Sequence, residues 1–292
     1  MKSIIILAII SISFCNILKN QYFYNKLKKI APYKIYSPEE NPFRDWTNEE
    51  IRKLLKERTL KQIIRYKKVD IEINEGYDFR KAHPDCVYPV YNQNRCGASW
   101  VFAGITAMQQ RFCFQSKGKV NPRLSPQDPL SCDENSQGCR GGMINFFWNY
   151  IKEKGCVDEN CLPFTSGSGY VEECPNKCKN GAEWKKYFSK QTNTFEDAES
   201  IKKEILTNGP VVSIFKVYED FMYYMSGIYA HRMGKLHGAH AVVILGFGEE
   251  YGTKYWICQN SWGRMWGEGG YFRIKMGDCG IDSYATAGEP IL

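Results

Sequence analysis

The chain has 292 residues, 43% hydrophobic and 14% aromatic, a composition that suits a packed globular protein and excludes a disordered one. Its net charge of +7 is concentrated at the front: residues 16–75 carry 14 Lys and Arg against 9 Asp and Glu, whereas residues 76–292 carry 24 against 23. A nearly neutral body lacks the basic footprint of a nucleic-acid binder, so no nucleic acid is expected among its partners.

Taken in chain order, the first stretch is MKSIIILAIISISFC. Lys2 supplies a positive start, and Ile4 to Phe14 form an apolar run too short to span a bilayer comfortably. The small residues Ser13 and Cys15 suit a cleavage site, so residues 1–15 are read as a secretory signal. No later run is long and apolar enough to cross a membrane, so no membrane contact is expected once the signal is gone. Twelve cysteines point to an oxidising compartment. Eleven remain after Cys15, an odd number, so at least one thiol is unpaired or bonds another chain.

Residues 16–75 form a lead-in rich in Lys, Tyr and Ile. Within it, Thr47 and Glu50 have the spacing of a capping box, and Trp46 and Ile51 occupy the places of a hydrophobic staple. Ile51, Leu54 and Leu55 then share one helical face, which one short helix cannot bury alone. Beyond it, Ser99 opens a run, SWVFAGITAMQQRFCF, without proline. Trp100, Ala103, Ala107 and Met108 recur at helical spacing, which predicts a long, mostly buried helix. The last third changes period. Val211–Val217, Ala241–Leu245, Tyr255–Cys258 and Tyr271–Ile274 are short β-rich runs separated by glycine turns. Helices first and antiparallel strands later predict an α+β protein of two packed halves.

Four short motifs carry the chemistry: Gln93-Asn94-Arg95-Cys96-Gly97-Ala98-Ser99-Trp100, Gly138-Cys139-Arg140-Gly141-Gly142, His240-Ala241-Val242, and Gln259-Asn260-Ser261-Trp262-Gly263. His240 lies 141 residues after Ser99 and Asn260 lies 161 after it. Together they resemble the papain family of peptidases, whose signature is C-G-[SA]-C-W with a distant His and Asn. The first motif matches at every place except the nucleophile's, where Ser99 stands for cysteine. Within that family the resemblance is to cathepsin B, supported by the Tyr77-Asp78-Phe79-Arg80 stretch where the mature chain would start.

The resemblance implies a papain-like fold with a helical left half and an antiparallel β-barrel-like right half. It also implies a propeptide at 16–75 and a peptidase domain at 76–292. The disulfides carried over are Cys86–Cys113, Cys96–Cys139, Cys132–Cys174 and Cys161–Cys178, leaving Cys156, Cys258 and Cys279 as thiols. In the family scheme the nucleophile sits at a helix N-terminus whose dipole stabilises an anion. His240 would be the acid and base, Asn260 would orient it, and Trp262 would shield their bond. Gln93 and the Ser99 amide would form the oxyanion hole, and Gly141 and Gly142 would let a substrate backbone lie close. Tyr284 falls where cathepsin B has an acid in the second subsite, so an apolar or aromatic substrate side chain is expected there.

A hydroxyl is far less acidic than a thiol, so no resting ion pair with His240 is expected, and peptide hydrolysis should be feeble or absent. The expected reading is a peptide- or protein-binding pseudoprotease. The rival is an active endopeptidase using Ser99 with His240 as general base. The Cys161–Cys178 stretch is short and contains no histidine, so the carboxydipeptidase action of cathepsin B is not expected in either case. His83, His231 and His237 read as structural. The pair His237 and His240 has metal-binding spacing but no convincing third ligand, so no metal or other cofactor is expected. The implied partners are a peptide in the cleft and the chain's own propeptide. The implied location is the secretory pathway, ending outside the cell or in a lysosome or vacuole.

Overall fold

A computed structural model describes residues 20–57, 71–73 and 75–292. The signal expected at 1–15 lies outside the described residues, as do 58–70, near the end of the expected propeptide.

The described chain begins with helix α1 (Gln21–Ile30), which the Asn20 side chain caps by accepting from the Phe23 amide at 3.0 Å. Strand β1 (Lys34–Ile35) and helix α2 (Asn48–Leu54) follow. The capping box of α2 is complete: Thr47 accepts from the Glu50 amide, and Glu50 reaches back to the Thr47 amide at 2.8 Å. Strand β2 (Tyr77–Asp78) and the one-turn helix α3 (Phe79–Ala82) open the body.

The long helix α4 runs Ser99–Gln115, and every residue from Ser99 to Cys113 is buried. It is apolar nearly all round because it fills the centre of the molecule. A side chain at Gly104 would strike the Phe147 ring at 2.3 Å, which explains the one glycine in this helix. Helices α5 (Gln127–Cys132) and α6 (Ile144–Glu153) pack beside it to make the helical half, with Phe79, Trp100, Phe112, Phe147 and Trp148 in its core.

The remaining elements are β3 (Ser189–Phe195), α7 (Ala198–Asn208), β4 (Val211–Tyr218), β5 (Tyr224–Ser226), β6 (Ile228–Tyr229), β7 (Leu236–Glu250), β8 (Thr253–Gln259), β9 (Tyr271–Lys275) and β10 (Ala285–Pro290). Eight strands form one sheet in the order β3-β10-β4-β7-β8-β9-β6, with β2 paired to β7 off that path. All pairs in it are antiparallel except β6 with β9. Alternation along β4 and β7 sends Val212, Ile214, Ala241, Val243 and Leu245 towards the helical half. Val211, Phe215, Val217, Val242 and Ile244 point into a second core with Trp256, Trp262, Trp266 and Phe272.

The lead-in closes that second core. Phe23, Leu27, Phe43, Ile51, Leu54 and Leu55 are buried in it, β1 pairs antiparallel with β5, and Asn41 donates to the Met222 carbonyl at 3.0 Å. Four disulfides tie the helical half: Cys86–Cys113, Cys96–Cys139, Cys132–Cys174 and Cys161–Cys178. Cys156, Cys258 and Cys279 are free thiols.

Candidate active site

Ser99 is the first residue of α4, set there by the Cys96–Cys139 bridge and by the Gly97 amide, which donates to the Cys139 carbonyl at 3.0 Å. Its side chain is buried where α4 meets β7. The hydroxyl oxygen accepts from the Ala241 amide at 3.3 Å and makes a long contact of 3.5 Å to Oε2 of Glu57.

His240 lies on β7 opposite Phe215 of β4 and is fully buried. Its Nε2 meets Oδ1 of Asn260 at 2.8 Å, and the Trp262 ring packs 4.8 Å from the imidazole, centroid to centroid. Asn260 Oδ1 also accepts from the Ser261 amide at 2.8 Å, so its carbonyl is fixed towards the ring. Burial pushes the imidazole pKa down to about 4, against the opposing pull of the Asn260 bond. A neutral ring that donates from Nε2 presents Nδ1 as an acceptor. That Nδ1 is buried without a hydrogen-bond partner. Ser99 and His240 therefore share the cleft without a hydrogen bond between them.

Gln93 is wholly buried below the helix start. Its amide nitrogen donates to the Cys96 carbonyl at 2.8 Å, and its oxygen accepts from the Ser261 hydroxyl at 2.6 Å. Ser261, inside the last motif, is thus a positioning residue that motif reading alone did not single out. Tyr284 is buried, and its hydroxyl donates to Asn145 on α6 at 2.9 Å.

The two glycines differ. Gly141 has φ +111°, and a side chain there would meet the Lys56 carbonyl at 2.5 Å, so a peptide backbone does lie close against it. At Gly142 the space is taken instead by the Trp100 ring, 2.5 Å from where a side chain would begin.

Residues 53–57 occupy the cleft. The Lys53 carbonyl sits where a side chain on Gly97 would project, and the Leu55 carbonyl does the same at Gly238. Lys56 pairs parallel with Ala239, whose carbonyl accepts from the Glu57 amide at 3.3 Å. Nothing in the sequence marked Glu57: within a Lys-rich stretch it reads as a solvated charge. It is 8% exposed, and burial holds its carboxyl well above the usual carboxylate range. Among the described residues no group of three or more His, Cys, Asp and Glu could hold a metal ion.

Residues 73–289 match the family described as papain family cysteine protease. The chain is 38% identical over 220 residues to cathepsin B-like CP3 of Giardia intestinalis, covering 73% of this chain and 74% of that one. It is 35% identical over 246 residues to cathepsin B of Dictyostelium discoideum, covering 78% of each. The solved structure of procathepsin B S9 from Trypanosoma congolense superposes with a TM-score of 0.87 at 28% identity, over 94% of this chain and 99% of that one. The recombinant stem bromelain precursor superposes with a TM-score of 0.77 at 26% identity, over 94% and 89%. The chain belongs to the papain family of cysteine proteases and is cathepsin B-like.

Proposed function

We propose that this protein binds peptides in its cleft and hydrolyses them poorly or not at all, with residues 16–75 acting as its prosegment. The observation that carries the reading is the pairing at the nucleophile's place: a serine stands where the family has cysteine, its oxygen accepts from the Ala241 amide, and His240 Nδ1 has no partner.

In this family a cysteine thiolate at the helix start is stabilised by the dipole and by an imidazolium. Neither charge is supported here. A serine hydroxyl stays protonated at any physiological pH, and the buried imidazole is neutral. Attack would need His240 to remove the proton in the same step, from an oxygen it does not hold. The shorter bond of serine also sets the oxygen back from the position a sulfur reaches, and misplacement by about 1 Å costs roughly 10²-fold.

The rest of the scaffold supports ligand binding. What supports it is the Asn260–His240 bond, the fixed Gln93 amide and the face of Gly141, against which the Lys56 backbone lies in the intact chain. Four disulfides fit delivery through the secretory pathway to the cell exterior or a lysosome-like compartment. Among the described residues no helix is long and apolar enough to cross a membrane.

The test is a nucleophile swap. After removal of residues 16–75, Ser99→Cys should hydrolyse a peptide at least about 10²-fold faster than the natural chain. It should also take up a thiol-specific epoxide that the natural chain ignores. Natural-chain turnover that matches Ser99→Cys and vanishes in His240→Ala would establish the active reading instead.

A further inference from the structure

The carboxyl of Glu57 is placed as a side-chain ligand would be. Its Oε2 receives the Ser99 hydroxyl at 3.5 Å, and the backbone amide of Ile144, at the start of α6, interacts with the same carboxyl. Its other oxygen, Oε1, is buried with no hydrogen-bond partner. A buried carboxylate with an unpaired oxygen and no cation is costly, whereas the uncharged acid fits such a place.

Among the described residues, no cation on the surrounding elements answers it. On its own segment the neighbour is Lys56, an exposed residue, and among the described residues no ion pair includes Glu57. On β7 the titratable groups are His237 and His240, both held near a pKa of about 4 by burial and so neutral, and Glu249 and Glu250 at its exposed far end, which are acids. The first turns of α4 and α6 carry no titratable side chain. Another orphan of the cleft, His240 Nδ1, is an acceptor, so the place suits a group with one accepting oxygen and one donating end.

We propose that the cleft between Ser99 and Ile144 contains a subsite for an uncharged carboxyl or carboxamide side chain, which Glu57 fills in the intact chain. Peptides taken by the open cleft then carry glutamine at that place, or glutamic acid under acid conditions. The inference rests on the reading of the cleft as a peptide site and adds to it the class of side chain recognised.

The prosegment is a tethered ligand, so the full chain suffices for the test. Thermal unfolding is compared at pH 5 and pH 8 for the natural chain, Glu57→Gln, Glu57→Leu and Glu57→Ala. Comparing variants at each pH cancels every other titrating group. At pH 5, Glu57→Gln should melt with the natural chain, and Glu57→Leu and Glu57→Ala below both. At pH 8 the natural chain should fall beneath Glu57→Gln by roughly 2–4 °C, because ionisation opposes docking. A leucine variant as stable as glutamine would make the place merely apolar and overturn the proposal. So would a natural chain more stable than Glu57→Gln at pH 8, which would mean that the charged form is held. Should leucine fail to fold, glutamine must still exceed alanine. The series reads no turnover, so an active Ser99 would leave it untouched, and its failure would leave the peptide-cleft reading standing.

Discussion

At the residue scale the protein turns on which atoms hold the Ser99 oxygen. The hydroxyl meets a backbone amide at 3.3 Å and a carboxyl at 3.5 Å, and the imidazole nearby is oriented by Asn260 but addresses no nucleophile. Asn260→Ala should therefore loosen His240 without changing the low turnover proposed for the natural chain, while in a Ser99→Cys background it should lower kcat. A kinetic comparison of the four variants checks this. Ser99 itself was legible from the sequence, because four motifs in family order fix its place. Glu57 was not, since a single acid among lysines carries no periodicity and its burial depends on a cleft built by residues far away in the chain.

At the scale of elements, α2 is the hinge between sequence and site. Its capping box was readable from Thr47 and Glu50, and its buried face, Ile51, Leu54 and Leu55, delivers Lys56 and Glu57 to the cleft. Thr47→Ala should cost about 1 kcal/mol, measured by denaturant unfolding, and should speed proteolysis between α2 and the body. Helix α1 gave less warning. It buries only Phe23 and Leu27, and its Lys28 and Lys29 disguise that face. Strand β7 runs from Leu236 to Glu250, well beyond the β-rich run Ala241–Leu245, because its ends pair with β4 and β8 despite polar and glycine residues. Pairing partners distant in sequence decide such ends. Gly141→Ala should weaken docking of the lead-in, since the side chain would meet the Lys56 carbonyl in a left-handed backbone. Release of residues 20–57 would be read by limited proteolysis.

For the whole molecule, two halves are joined by one buried cation. Arg111, on α4, donates to the Gly288 and Gly209 carbonyls and to Glu204 at 2.6 Å, with both side chains nearly unexposed. Arg111→Ala leaves the Glu204 charge stranded and should destabilise the chain by about 3–5 kcal/mol in denaturant titration. The cleft's titrating groups contribute to pH stability with opposite signs. His237 and His240 have pKa values depressed from 6.5 to about 4, so their contribution is full above 6.5 and is lost as pH falls through 4. Glu57 has a raised value, so its contribution is full below 4.5 and is lost as pH climbs towards that value. Calorimetry across pH should show the acid limb shallower in a His237→Ala, His240→Ala double variant and the other limb shallower in Glu57→Gln, each relative to the natural chain. The α+β class and the two-half plan were legible from the change of hydrophobic period along the chain. The closing of the second core by the lead-in was not, because it joins residues about two hundred positions apart.

The most direct measurement is mass spectrometry of a stoichiometric peptide held with the chain freed of residues 16–75, with binding followed in parallel by calorimetry. A peptide that binds and is recovered intact after hours is the predicted result. Stoichiometric cleavage within that time, abolished by His240→Ala, would contradict the account.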